Sequence, residues 1–481
     1  MNLLTTVFRF EWKRMVRQPG MLLAVLLYLL LGSYGIYSGQ KVIDIQLNAI
    51  DTVKASAQND FKNTLKAFTD TLTAEKRYQA ERAGSPYLID YRMPRIAIDY
   101  PKGMAGLSIG LRDLTPLSEK VSYSADYSDK NQEITNPVLL FEGNIDLSFV
   151  IVFLLPLLVI VFCYDLLSAE KEQGSYTLLM VQSGGFRHIT IYRLFFRFLL
   201  ICTATLLLNL YGILNCPLKK LFLSDIFLWF IAVFSYLVFW FSICFLVISL
   251  KKDTLNNALY LLGFWLLFLF ILPALTGIYI KMEHPAQIRA DVEDIERHIG
   301  EEVWFSDPAQ IVLSFYDAHP QYAKAFGPKD TTNNQNDAFF AGYAYLKEKR
   351  MSANIAEIQK ANDKANQAAR DLLMFSPAQQ VQDILNTLAG TSRTDYLGYR
   401  EQVATFQKEW AKIFYDRIFH TENAKRRELN FKPEELNQLM VFHRKILPLS
   451  IKDFFVAMAP LWITTMILSL FAYLLFKHKL T

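Results

Sequence analysis

The sequence predicts an all-α polytopic membrane protein with six transmembrane helices, and three observations lead there. Of 481 residues, 52% are hydrophobic. They are clumped into six runs, each near the ~20 residues an apolar helix needs to cross hydrocarbon. The centres of those runs are almost free of charge, where one charged side chain costs about 2.5–3.5 kcal/mol on insertion scales. A soluble chain of this length would divide into domains of about 100–200 residues with dispersed apolar positions. That class is excluded.

The spans are placed at 21–37, 146–167, 190–214, 225–250, 257–281 and 453–476. Lys13, Arg14 and Arg17 precede the first span. Lys171 and Arg187 lie between the second and third, Lys251 and Lys252 between the fourth and fifth, and Lys477 and Lys479 after the last. Six spans put all of these on one side, which the positive-inside bias makes cytoplasmic. Lys219 and Lys220 fall on the other side and weaken that bias. Both termini, including the tail 477–481, are then cytoplasmic, and regions 38–145 and 282–452 lie outside. The lead before Met21 is long for a signal peptide, so an uncleaved first span is expected.

The first outer region opens with Ile43, Leu47, Ile50, Ala57, Phe61, Leu65, Phe68 and Leu72, a stripe at helical spacing. It reads as an amphipathic helix that continues from the first span and stops at Gly84 and "SPY". Alternating stretches such as "KVSYSAD" predict a few strands after it, giving a mixed α/β insertion. The second region is read as mainly helical, with a stripe at Ile355, Ile358, Ala361, Ala365, Ala368 and Leu372. In "FSPAQQVQDILNTLAG", Ser376 is a cap, Pro377 suits a first turn and Gly390 is a stop. A helix through Val403, Phe406, Trp410 and Phe414 is expected to pack on it.

Several chemistries find no foothold. Cys163, Cys202, Cys216 and Cys244 all lie in or beside the apolar runs, so neither a disulfide framework nor a zinc cluster is expected. The net charge of +4 carries little information about partners, and nucleic acid is not among those expected. "GSYGIYSGQK" (32–41) lacks the Gly-Lys-Ser/Thr of a phosphate loop, so the chain itself is not expected to hydrolyse ATP. "ERHIGEE" (296–302) and "HTENAKRRE" (420–428) read as solvated helix faces. Pro156, Pro273 and Pro460 fall inside spans and mark kinks. Asn209, near the middle of the third span, either bonds across a helix interface or lines a path.

Two stretches carry more information. In residues 1–20, Leu4, Val7, Phe8, Trp12, Met15 and Val16 share one helical arc and Arg9, Lys13 and Arg17 the opposite one. That is the pattern of a helix lying among lipid headgroups; a simple basic anchor fits as well. Glu11 sits beside the apolar arc, which an anchor does not need. In the connector 168–189, Glu170, Lys171 and Glu172, with Asp165 just before, cannot occupy hydrocarbon. Yet Tyr176, Leu179 and Met180 follow at helical spacing until Gly184 and Gly185. A short docking helix and a snorkelling interfacial loop both fit.

"AEKEQGSYTLLMVQ" resembles the E-x-E-x-G-[ST] cytoplasmic segment of type 2 ABC exporter permeases, most closely the DUF3526 group with large periplasmic insertions. "FRFEWKRMVRQPG" looks like that group's interfacial helix. "NPVLLFEGNIDLSFVIVFLLPLLVIVFCYDLLSAEKEQGS" looks like its second span, and "FSPAQQVQDILNTLAGTSRTDYLGYREQV" like its second insertion. The resemblance implies type 2 ABC exporter architecture in a bacterial inner membrane, with 168–189 as a coupling helix. It places Glu170, Glu172, Gly174, Ser175, Leu178 and Leu179 at an ATPase contact and Glu11, Trp12 and Arg17 on the interfacial helix. It also implies a separate ABC ATPase subunit holding ATP and Mg, a second permease subunit (the same chain or a sibling), membrane lipids and an envelope partner. Gly174-Ser175-Tyr176 departs from the usual Gly-Thr-Leu, and Gln182-Ser183 from the usual Gln-Pro. The function implied is a permease subunit coupling ATP hydrolysis to substrate movement. Two alternatives remain: a mechanotransmitting subunit acting on envelope proteins or lipoproteins, and an ATP-independent scaffold or sensor.

Overall fold

The computed structural model of the chain describes residues 3–69, 73–93, 95–123, 145–174, 186–217, 221–283, 289–322, 337–419 and 430–478. Within them, six helices are long and apolar enough to cross a membrane: Pro19–Thr69, Leu147–Glu172, His188–Leu214, Leu223–Ser249, Thr254–Glu283 and Ile451–Lys477. These are spans 1 to 6. Helix α1 (Leu3–Arg17) precedes them. Its break at Gln18 is followed by Pro19, which opens α2 (Pro19–Thr69) at the position where a missing N–H costs nothing. At 1.5 Å per residue, this 51-residue helix is about 77 Å long, so span 1 and the stalk above it are one rod.

Two glycines let that rod touch other backbones. A Cβ on Gly35 would lie 2.8 Å from the Asp146 carbonyl oxygen, and one on Gly39 only 1.9 Å from that of Gly106. Small residues permit such approach between spans, where dispersion rather than water expulsion holds helices together. Higher up, Ile43 and Ile50 are buried, and Phe61, Leu65 and Phe68 pack on the outer core. Gly84 does not end this helix as expected. A separate α3 (Ala74–Arg82) starts at Thr73, whose side chain accepts the Lys76 N–H and competes with helix continuation. After α4 (Pro86–Arg92) come β1 (Arg95–Ile98) and β2 (Ser118–Val121), antiparallel with Arg95 opposite Val121. Of "KVSYSAD", Lys120 and Val121 are in β2, while 124–126 lie outside the described residues.

Span 2 begins as α5 (Leu147–Phe149), passes a π-turn at Val150–Leu154 and continues as α6 (Leu155–Cys163), with α7 (Ser168–Glu172) at its end. Span 3 lies in α8 (Phe186–Leu214) and span 4 in α9 (Leu223–Ser249). Span 5 repeats the pattern of span 2: α10 (Thr254–Leu266), a π-turn at Leu267–Ile271, then α11 (Leu272–Glu283). Both π-turns lie just ahead of a proline, Pro156 and Pro273, whose missing N–H opens the helix. Spans 2 and 4 form the centre, with 67% and 72% of their apolar windows buried, against 11% and 17% for spans 5 and 6. The outer spans therefore turn most of their apolar surface outward. Asn209 bonds across spans, accepting the Trp229 indole N–H at 2.7 Å.

The second insertion comprises α12 (Arg289–Trp304), α13 (Pro308–Ala318), α14 (Asp337–Leu373), α15 (Pro377–Ala389), α16 (Arg393–Phe419) and α17 (Pro433–Leu436); α18 (Ile451–His478) contains span 6. Ser376 caps α15 and Gly390 ends it in the left-handed region at φ 73°. The expected packing of α15 on α16 is not what forms. Val381, Ile384, Leu385 and Leu388 of α15 join the core of the membrane bundle. Val403, Phe406, Trp410 and Phe414 of α16 join a second core with Ile89, Met93 and Phe315. The apolar face of α15 matches spans 2 and 4, so the helix enters the bundle. The 296–302 stretch also departs from a solvated face: Glu296 is buried and pairs with Lys347 at 2.6 Å. Residues 420–428 lie outside the described residues.

The two insertions are joined by buried charge. Arg112 bonds Asp99 Oδ2 at 3.1 Å and Gln46 of the stalk at 3.1 Å; Arg444 pairs with Asp99, and Lys102 with Asp395 at 3.4 Å. Asp90 is a second joint. Its carboxylate accepts from Ser122 Oγ (2.5 Å), the Trp410 indole (2.8 Å) and the Tyr123 N–H (3.3 Å). Burial nevertheless outweighs those donors and raises the carboxyl from 3.8 to about 6. Folding then holds this proton more tightly than the unfolded chain does. The Asp90 contribution is complete below about pH 4 and is lost as pH rises through about 6. Asp90→Asn removes the charge, keeps an oxygen to accept from Trp410 and Tyr123, and places an amide N–H that can donate to Ser122 Oγ. The melting temperature of wild type relative to D90N should fall between pH 4 and 7, by the equivalent of at most about 3 kcal/mol. Parallel pH profiles for the two proteins would contradict this assignment.

Candidate functional site

Glu11 is the residue that an interfacial helix does not need, and its surroundings explain its presence. Along α1, Val7, Glu11 and Met15 are buried at four-residue spacing, against span 3. The Phe8 ring meets Phe196 edge-on, with centroids 5.2 Å apart. Glu11 is 3% exposed. Its two oxygens accept from Arg193 Nε at 2.6 Å and Arg197 Nε at 3.2 Å, one helical turn apart on span 3. A carboxylate so deeply buried persists because both oxygens meet cations.

The same arginines reach the end of span 2. Arg197 donates to Asp165 Oδ1 at 3.2 Å and to the Phe162 carbonyl; Arg193 donates to Glu170 Oε1 at 3.1 Å. Arg14 of α1 completes the cluster, with bonds to Asp165 Oδ2 at 3.2 Å and Glu170 Oε1 at 3.4 Å. Three arginines and three carboxylates thus form a neutral cage joining α1, the span 2 exit and the start of span 3.

A further set of bonds ties this cage to span 5. Glu172 Oε1 accepts the Thr254 N–H at 2.9 Å, supplying a negative charge to the N-terminus of α10. Thr254 Oγ1 donates to Ser168 Oγ at 2.7 Å, and Lys171 Nζ to the Lys251 carbonyl at 2.8 Å. Asn257 Nδ2 donates to the Tyr164 carbonyl at 3.4 Å. Helix α1 and spans 2, 3 and 5 therefore share one polar joint.

The sequence-predicted residues separate accordingly. Glu11 and Glu170 sit inside the cage and Glu172 holds span 5. Gly174 is exposed at φ +74°, a conformation that suits glycine after α7. Trp12 and Arg17 lie on exposed sides of α1, outside the cage. Ser175, Leu178 and Leu179, with the rest of 175–185, lie outside the described residues. Asp165 is buried and Glu170 half-buried, each between protein arginines. Sequence reading missed Arg193, Arg197 and the cage role of Arg14. The signal was a pair of arginines at i, i+4 within an apolar span, because ionisable groups there face protein interiors and find partners.

These features define a polytopic helical membrane protein with a buried ionic joint at the bundle end that carries both termini. Residues 282–434 match the family model described as Domain of unknown function (DUF3526). The match starts at the end of span 5 and takes in the second insertion through α16, while the cage lies outside it. No curated protein and no solved structure matches the chain.

Removing one member of a buried charge cluster leaves its partners uncompensated, at a cost of about 3–5 kcal/mol. Glu11→Gln should therefore destabilise the detergent-solubilised protein by about that much. Lys13→Gln, on the exposed side of α1, should change it little. Equal melting temperatures for wild type and E11Q would show that the cage does not support the fold.

Proposed function

We propose that this chain is the membrane-spanning permease subunit of an ATP-driven ABC transporter. It would couple hydrolysis by a separate ATPase to movement of a substrate out of the cytoplasm. The ionic cage is the observation that carries this reading. A partner pressing on the segment after α7 would push on a unit already bonded to α1 and to spans 2, 3 and 5. Such a unit converts a local push into helix displacement, the form of work expected at a coupling segment. The basic residues at this end of the bundle support its placement on the cytoplasmic side of a bacterial inner membrane. The second insertion, matched by the DUF3526 model, would then face the periplasm.

Glu170 and Glu172 acquire a changed role on this reading. The Glu170 carboxylate is held by Arg14 and Arg193 and the exposed Glu172 by the Thr254 N–H, so on this reading both serve the joint before any contact with the ATPase. Contact with the ATPase would fall to the chain beyond Gly174.

One observation favours a second reading, in which force rather than substrate crosses the bilayer. Span 1 and its stalk are one continuous helix, and α15 of the second insertion enters the bundle. Motion at the cage would then reach the outer domain and act on an envelope protein. Both readings require an ATPase, so the first test is common to them. Affinity purification from native membranes should recover a Walker-motif ATPase. Glu170→Ala, Glu172→Ala should lower its stimulated activity about tenfold or more while the chain still inserts. Recovery of the chain without any ATPase, or full stimulation in the double variant, would overturn the proposal.

A further inference from the structure

Spans 5 and 6 each contain a proline that removes a donor from their hydrogen-bond ladder, and side chains of α15 bond to carbonyls at or beside those openings. In span 5, the Leu272 N–H reaches back five residues to the Leu267 carbonyl. The next N–H in that series would belong to residue 273, which is proline, so the Phe268 carbonyl has no backbone donor there. Ser376, the cap of α15, supplies one: its hydroxyl donates to the Phe268 carbonyl at 3.2 Å. In span 6, Pro460 removes the donor for the Val456 carbonyl. Gln380 Nε2 donates to the adjacent carbonyl, that of Ala457. Thr276, just past the span 5 proline, donates to Gln379 Oε1 at 3.4 Å.

The other half of α15 is bonded to the first insertion. Asn386 Oδ1 accepts from Ser108 Oγ at 2.5 Å, and Gln382 Nε2 donates to Ser148 Oγ at 2.8 Å where span 2 begins. The Leu111 N–H donates to the Thr391 carbonyl at 3.0 Å. Gly390 lies under the Lys102 side chain, where a Cβ would come within 2.3 Å of Cδ. Lys102 in turn pairs with Asp395 at 3.4 Å, in the first turn of α16.

We infer that α15 is the element through which bending of spans 5 and 6 is exchanged with the outer domain, with Ser376 and Gln380 as the contacts that hold the proline-opened turns. Pro- and π-type openings are where helices bend, and a small set of terminal contacts can set the bend state of a hinge. Ser376 sits on one hinge and Gln380 beside the other, and 13 residues of rigid helix carry their displacement to the 104–112 loop and α16. Nothing in this linkage depends on which partner drives the bundle.

The test is a double-mutant cycle on the full chain in lipid nanodiscs, read by amide hydrogen exchange in segments 104–112 and 393–399. Ser376→Ala leaves the part-buried Phe268 carbonyl without its side-chain donor and should raise exchange in both segments about tenfold. Pro273→Ala restores a backbone N–H at the hinge, so adding Ser376→Ala to it should produce little further change. Thr387→Ala removes only a hydroxyl that bonds within α15 to the Asp383 carbonyl, so it serves as the control and should leave exchange at wild-type rates. Unchanged exchange in S376A would overturn the inference. So would an equal increase with and without Pro273, because Ser376 would then act only through the stability of α15.

Discussion

Six charges clustered at one end of the bundle, four of them buried, constrain everything around them. Glu11 cannot be withdrawn from Arg193 and Arg197 without leaving two guanidinium groups in a low-dielectric site, and Arg197 cannot move without disturbing Asp165. The cage therefore fixes where α1 lies along span 3, and where span 2 ends. Through Glu172 it also fixes where span 5 starts. A helix lying in a membrane interface would ordinarily be free to slide or tilt; α1 is pinned.

At the opposite end, the constraint is backbone proximity. Gly35 and Gly39 place the long α2 rod directly against Asp146 and Gly106, and buried polar groups of both insertions close around it. Among the described residues, the unbroken α2 and α15 both run between the bundle and the outer domain. The outer domain has its own apolar core, distinct from the one that α15 joins. Coupling between distant ends needs such contiguous, stiff elements with a few places to bend. Here the places where the ladder is interrupted are the π-turns ahead of Pro156 and Pro273 and the turn before Pro460.

Much of the fold was legible in the sequence, because the cost of charge in hydrocarbon leaves long apolar runs that reveal six spans. Capping chemistry made α15 legible too, through Ser376, Pro377 and Gly390. Its location was not, since an amphipathic helix does not declare whether its apolar face meets a soluble core or a membrane bundle. Glu11 was visible as an anomaly on α1, but its partners lie 182 and 186 residues away. Spacing along one helix carries no information about such distant pairs. The end of the stalk was misplaced at Gly84 because the Thr73 cap is weaker punctuation than a glycine. Of the segment named from its resemblance to ABC exporters, Glu170, Glu172 and Gly174 could be situated: Glu170 in the cage, Glu172 on the start of span 5, and Gly174 exposed.

The central claim is that the cage makes α1 and the start of span 5 move as one body. Spin labels at Lys13 and Lys252, both exposed, measure it directly in a background without the native cysteines. Pulsed dipolar spectroscopy in nanodiscs should give one narrow distance in the intact protein. That distance should broaden when Glu170 and Glu172 are replaced by alanine. A broad distribution in the intact protein, or one insensitive to those replacements, would contradict the account.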